Sequence, residues 1–199
     1  MKDSIHIISL GCPKNLVDSE VMAAALKEGG YRIAPAPQDA GIIMVNTCAF
    51  ILPAKEESIE ELLRMAAWKK AGRCRHLVVA GCLPQRYGKS LAPELPEVDL
   101  FLDINDVPHV ARRLDELTER KNPVSAPPAV KPSFLMNADH PRLLATPFYS
   151  AYLKIAEGCS NYCSYCIIPA IRGRARSRRM DDILKEAQNL AFAGVKEII

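Results

Sequence analysis

Cys159-Ser160-Asn161-Tyr162-Cys163-Ser164-Tyr165-Cys166 places three thiols within eight residues, directly after the apolar run Tyr152-Leu153-Lys154-Ile155-Ala156. The run reads as a strand and the cysteines as a loop at its end, with three residues between the first pair and two between the second. That spacing lets a short loop wrap one corner of an inorganic cube. Zinc is normally held by four ligands in paired Cys-x-x-Cys knuckles, and the chain has no second knuckle. Three thiolates on an iron–sulfur cube leave one iron without a protein ligand, and an open iron is a place for chemistry. Downstream, Asp181 is expected to cap a helix carrying Ile183, Ala187, Leu190 and Ala191, and Val195-Lys196-Glu197-Ile198-Ile199 reads as the start of another strand.

Upstream, one unit recurs three times: strand, cysteine, helix. Ile5 to Leu10 is a β-branched strand stopping at Gly11-Cys12-Pro13, followed by a helix that Asn15 can cap and that buries Val17, Val21, Ala24 and Ala25. Ile42 to Val45 is a second buried strand, ending at Asn46-Thr47-Cys48. The helix from Ala54 to Ala71 has an apolar stripe of Ile59, Leu62, Leu63, Ala66 and Ala67. His76 to Ala80 is a third strand, ending at Gly81-Cys82, and Leu100-Phe101-Leu102 with a helix over Pro108 to Leu117 completes an open parallel α/β domain. Ligands of such sheets sit outside the carboxyl ends of the strands, so Cys12, Cys48 and Cys82, roughly 35 residues apart, can converge there on a second cluster. Plain core filling is the alternative for strand-end cysteines. Cys74 lies in a charged stretch and reads as a bystander. His6, His76, His109 and His140 show no metal spacing.

Between Lys121 and Pro147 the composition changes. Pro123, Pro127, Pro128, Pro132, Pro141 and Pro147 mark an extended linker, with Phe134-Leu135-Met136 available to lie on a neighbouring surface. The expected organisation is therefore a domain over 1–120, a Pro-rich linker over 121–147, and an incomplete second domain over 148–199. The chain has 199 residues, 49% hydrophobic and 25% charged, with net charge +3, so composition argues neither for nor against nucleic acid. No apolar run is long enough to span a membrane and no signal-peptide pattern opens the chain, so a cytoplasmic location is expected, with its seven cysteines as thiols or ligands.

The cysteine loop, entered through Tyr-Leu-Lys-Ile-Ala-Glu-Gly-Cys, resembles that of radical S-adenosylmethionine (SAM) enzymes. Gly11-Cys12-Pro13-Lys14-Asn15-Leu16-Val17-Asp18-Ser19-Glu20, Asn46-Thr47-Cys48-Ala49-Phe50-Ile51, Gly81-Cys82-Leu83-Pro84-Gln85-Arg86-Tyr87 and Ile167 to Gly173 narrow it. Together they resemble the methylthiotransferase family, and within it the branch acting on a ribosomal protein. The resemblance implies a methylthiotransferase amino-terminal domain followed by the first strand, helix and strand of a radical SAM (β/α) barrel. It implies two 4Fe-4S clusters, on Cys159, Cys163 and Cys166 and on Cys12, Cys48 and Cys82, with Tyr165 beside the SAM adenine. It also implies the reaction: methylthiolation of the β-carbon of an aspartate in the twelfth protein of the small ribosomal subunit, with SAM as radical source and methyl donor. An electron donor such as flavodoxin or ferredoxin is implied as partner. Because most of the barrel and a carboxyl-terminal TRAM domain are not in this stretch, residues 1–199 alone are expected to be inactive.

Two rivals stand beside this. A transfer-RNA adenosine methylthiotransferase shares the chemistry, and the basic run Arg172 to Arg179 suits phosphates; a solvated loop, or arginines meeting SAM or an acidic partner, is the favoured reading of that run. A non-catalytic metal-binding or interaction module is the rival of another class. Two features depart from the family pattern: the extra arginines at 174, 176, 178 and 179, and Asp103 where a glycine is expected.

Overall fold

Six consecutive buried residues, Ile42–Thr47, form the central strand of the sheet (β3), a run without polar alternation as a parallel strand covered on both faces requires. A computed structural model of the chain describes residues 2–119 and 130–199. Around β3 lie β1 (Ser4–Ser9), the short β2 (Arg32–Ile33), β4 (His76–Gly81) and β5 (Leu100–Phe101), all parallel, in the order β2-β1-β3-β4-β5. The register aligns Ile5 with Ile42 and Ile42 with His76. The order reverses direction between β1 and β3, and that switch point is where an open α/β sheet leaves a crevice at its carboxyl edge.

Alternate residues of the strands feed two cores. Ile43, Val45, Leu77, Val79 and Phe101 pack with Leu62, Met65 and Ala66 of α2 (Leu52–Lys70) and Leu83 of α3 (Cys82–Glu94). Ile42, Met44, Val78, Leu100 and Leu102 pack with Val17, Val21, Met22 and Leu26 of α1 (Pro13–Glu28) and Val110, Leu114 and Leu117 of α4 (Val110–Glu119). The period of two along each strand thus fills both helix layers.

Several local expectations are corrected. The buried stripe of α2 runs through Ser58, Leu62, Met65 and Ala66, while Leu63 and Ala67 face solvent. The α1 helix starts at Pro13, whose fixed φ suits the first helical position, so Cys12 is the N-cap and Asn15 is freed for another role. Only Val110–Glu119 is α-helix at the domain's end. Before it, Ile104–His109 is a 3-10 segment capped by Asp103, which accepts from Asn105 N–H while Asp106 answers with a bond to Asp103 N–H. Asp103 therefore has its own reason to be aspartate.

Of the expected proline-rich linker over 121–147, residues 121–129 lie outside the described residues. Residues 130–147 have no helix or strand, yet Met136 is buried in the α1/α4 core and Phe134 packs beside it. Beyond them, β6 (Ser150–Ala151) pairs in parallel with β9 (Glu197–Ile198), and β7 (Ala156–Glu157) pairs antiparallel with β8 (Arg176–Ser177). Between these lie α5 (Ile168–Arg172) and α6 (Met180–Phe192). Asp181 does not cap α6; Arg179 occupies that position and pairs with Asp181 on the surface.

Candidate functional site

Each strand of the switch point hands a cysteine to the same edge. Cys12 follows β1 at the start of α1, Cys48 follows β3, and Cys82 opens α3. Two glycines make the approach possible. At Gly11 (φ +91°) a Cβ would sit 2.6 Å from Cys48 Cβ and 3.0 Å from its sulfur. At Gly81 (φ +92°) it would run into Asn46 Oδ1 and stand 2.7 Å from Thr47 O. Only glycine takes that φ without strain and leaves those spaces open.

Beneath the thiols, buried polar groups tie the strand ends together. Asn15 Nδ2 donates to Leu10 O at 2.8 Å and is within 3.3 Å of the carbonyls of Asn46 and Thr47. Asn46 Nδ2 donates in return to Asn15 O and Ser19 Oγ, both at 2.8 Å, and Thr47 Oγ1 donates to Ala80 O at 2.7 Å. Cys48 N–H donates to Ser58 Oγ at 3.0 Å. These buried donors fix one arrangement of backbone, because breaking any of the bonds strands a donor away from water, although Asn46 Oδ1 itself has no partner among the described residues.

Cys12, Cys48 and Cys82 line one cavity of about 820 Å³. Its opposite wall is Glu157, Gly158, Ile168, Ile171 and Arg172 from the second half of the chain. Among the described residues no three His, Cys, Asp or Glu side chains close on a single metal ion. A cube several ångströms across holds its thiolates at separate corners, and three cysteines lining one cavity are a donor set compatible with that. Burial pushes the Cys82 thiol up to about 11, with Arg172 pulling the other way and Cys48 adding to the rise.

The second triplet is built differently. Cys159 N–H donates to Gly173 O at 3.0 Å, Cys166 N–H to Cys163 O at 3.0 Å, and Ala175 N–H to Ser160 Oγ at 3.0 Å, closing the loop above the β7/β8 pair. Gly158 (φ +76°) has Gly173 O 2.5 Å from where a Cβ would be, and Tyr162 holds a left-handed φ of 48°. Cys163 is exposed, Cys159 and Cys166 are partly so, and Tyr165 is 88% exposed.

An ion cluster joins the two halves. Asp18 of α1 takes Lys154 Nζ at 2.5 Å and Arg172 Nη1 at 2.7 Å; Glu157 takes the same two groups at 2.9 and 3.2 Å. Burial alone would raise the Asp18 pKa, but Lys154 and Arg172 overcome it and hold the carboxyl below its ordinary value. Farther along α1, Glu20 pairs with Arg142 at 2.6 Å, Arg142 with Glu186 at 2.6 Å, and Arg178 with both Glu186 and Asp182. The basic run is thus not a solvated loop throughout: Arg172 and Arg178 are buried in ion pairs, and only Arg174 and Arg179 are fully exposed.

The model described as Uncharacterized protein family UPF0004 matches residues 4–103, half the chain, covering the sheet and all three strand-end cysteines. The chain belongs to the UPF0004 family. The Radical SAM superfamily model matches residues 153–199, and that order of matches fits the amino-terminal part of the radical SAM methylthiotransferases. Ribosomal protein uS12 methylthiotransferase RimO of Syntrophus aciditrophicus is 64% identical over 98% of this UPF0004 chain and 44% of its own length. The proteins of the same name from Heliobacterium modesticaldum and Geobacter sulfurreducens are 51% and 49% identical, over 98% and 99% of this chain and 42% and 44% of theirs. The chain spans less than half the length of the curated relatives it matches.

Sequence reasoning about this UPF0004 chain missed Asn15 as the strand-end clamp and Asp18, Lys154, Glu157 and Arg172 as a buried ion cluster. Asp18 lies 136 residues from Lys154 and 154 from Arg172, so no local spacing announces the pairs. The one available signal was an ionisable residue, Lys154, inside the apolar run Tyr152 to Ala156, which reads as one strand but is strand only at Ala156.

Proposed function

We propose that the protein to which this chain belongs methylthiolates the β-carbon of an aspartate in ribosomal protein uS12. In this reading Cys159, Cys163 and Cys166 hold one 4Fe-4S cluster and Cys12, Cys48 and Cys82 hold another. When bound, the clusters and SAM supply reductive SAM cleavage for hydrogen abstraction at the first triplet and methylated sulfur at the second. The observation that carries the reading is the shared cavity: three thiols from three strand ends face a wall contributed by the segment that bears the other three.

The chain's own residues have three tasks. Asn15, Asn46 and Ser58 hold the strand ends so that the thiols keep their spacing without rearrangement. Phe50, Ile51 and Pro53 give the cavity an apolar lip that keeps water away from reactive species. The Asp18 cluster fixes the two walls against each other. Ordinary acid–base catalysis would not serve, because the target carbon–hydrogen bond is too weakly acidic for side chains working near neutral pH. Tyr165 is assigned to the SAM adenine, flavodoxin or ferredoxin to electron supply, and the cytoplasm to the protein's location. No helix among the described residues is long and apolar enough to cross a membrane.

The test is to incubate full-length, cluster-loaded protein with SAM, a reductant, and either uS12 or transfer RNA, then look by mass spectrometry for added methylthio mass. Addition to uS12 alone is expected. Addition to transfer RNA alone would transfer the assignment to the nucleic-acid branch, which the burial of Arg172 and Arg178 disfavours.

A further inference from the structure

Arg172 sits where the two halves of the cavity meet, and its bonding is asymmetric. Its side chain is buried, with Nη1 taken by Asp18 at 2.7 Å and Glu157 at 3.2 Å. The other nitrogen, Nη2, donates to Asn15 Oδ1 at 3.2 Å and reaches Cys82 Sγ at 3.4 Å. The planar guanidinium fork cannot turn one nitrogen without the other, so two carboxylates on Nη1 fix the aim of Nη2 at the sulfur. Arg172 also ends α5, which starts two residues after Cys166. The helix leaving one cysteine loop therefore delivers a charged donor to the sulfur of the other triplet.

We propose that Arg172 is a positioning residue for Cys82 that sets the reduction potential of the group held by Cys12, Cys48 and Cys82. The proposal rests on the two-cluster reading. A positive charge and a hydrogen bond at a ligating sulfur favour the more negative, reduced form, and so raise the potential. A purely structural ion pair would stabilise the fold and leave the potential where it is.

The test uses full-length protein carrying Cys159→Ala, Cys163→Ala and Cys166→Ala, so that only the Cys12 triplet titrates, with the midpoint followed by electron paramagnetic resonance under anaerobic reductive titration. Arg172→Gln is expected to shift the reduction equilibrium about tenfold toward the oxidised form, a fall of about 59 mV for a one-electron couple. Lys154→Gln breaks the same ion cluster without a bond to the sulfur, and is expected to lower stability but move the midpoint less. An unmoved midpoint in iron-loaded Arg172→Gln overturns the proposal, as does an equal shift in both variants. If Arg172→Gln does not accumulate folded, Arg172→Lys keeps the buried charge and carries the test: a smaller fall supports the proposal and none overturns it. Should the unsubstituted triplet take up no iron, the two-cluster reading itself fails, an outcome distinct from a loaded variant whose potential does not move.

Discussion

Cys12, Cys48 and Cys82 come from three strand ends tied together by buried polar bonds, whereas Cys159, Cys163 and Cys166 come from one loop. The first arrangement depends on long-range folding: Gly11 and Gly81 must leave room, Asn15 must clamp, and the sheet must reverse at the right place. The second depends on local spacing and a tight turn. A site assembled by the fold should fail when the fold is disturbed at a distance, and a site written in one loop should not.

The largest expected effect separates the two by chemistry. In the full-length protein, Cys163→Ala should abolish formation of 5′-deoxyadenosine, while Cys48→Ala should abolish methylthiolation and leave some SAM cleavage. Survival of both activities in Cys48→Ala, read by chromatography and mass spectrometry, would end the division of labour.

Next in size is the ion cluster. Asp18→Ala leaves Lys154 and Arg172 buried with only Glu157 as shared carboxylate, and breaking such a buried pair costs about 3–5 kcal/mol. A lowered urea midpoint should report it. The same carboxyl gives a pH dependence: its folded pKa is depressed, so its contribution is complete above the ordinary value of 3.8 and is lost as pH falls through the lower folded value. Asp18→Asn should flatten that acid limb. If the acid limb is unchanged, the cluster is not what joins the halves.

A smaller effect is expected at the strand ends. Gly81→Ala places a methyl against Asn46 and Thr47 and forces a φ that alanine avoids, at a cost of about 1–3 kcal/mol. It should lower iron uptake by the Cys12 triplet and spare the loop triplet; equal losses at both would erase the contrast drawn above. Smallest is a difference in thiol reactivity. In metal-free protein, iodoacetamide should label Cys12 and Cys163 first, and Cys82 and Cys74 last, since both of these are buried and burial raises both pKa values. Early labelling of Cys82, read by peptide mass spectrometry, would contradict the buried position.

The contrast also explains what the sequence made legible. Short β-branched runs ending in Gly-Cys or Thr-Cys identified the strands and the edge at which three cysteines stand, because a buried parallel strand and its turn are local patterns. The strand order was not readable, since nothing local tells β2 to lie outside β1. Stripe assignment failed in part in α2, where Met65 faces the core and Leu63 and Ala67 do not; all three are apolar and only the neighbouring strands distinguish them. Asn15 looked like a cap because its residue type favours caps, but Pro13 had already started the helix. The arginines after the loop looked solvated because their acidic partners, Asp18 and Glu186, come from elements that only the fold brings near.

Metal content decides most directly whether six of the seven cysteines form two clusters. Full-length protein purified without oxygen should contain about eight irons with matching sulfide, and replacing either triplet with alanine should leave about four. Stoichiometric zinc, or an iron content unchanged by replacing Cys12, Cys48 and Cys82, would contradict the account.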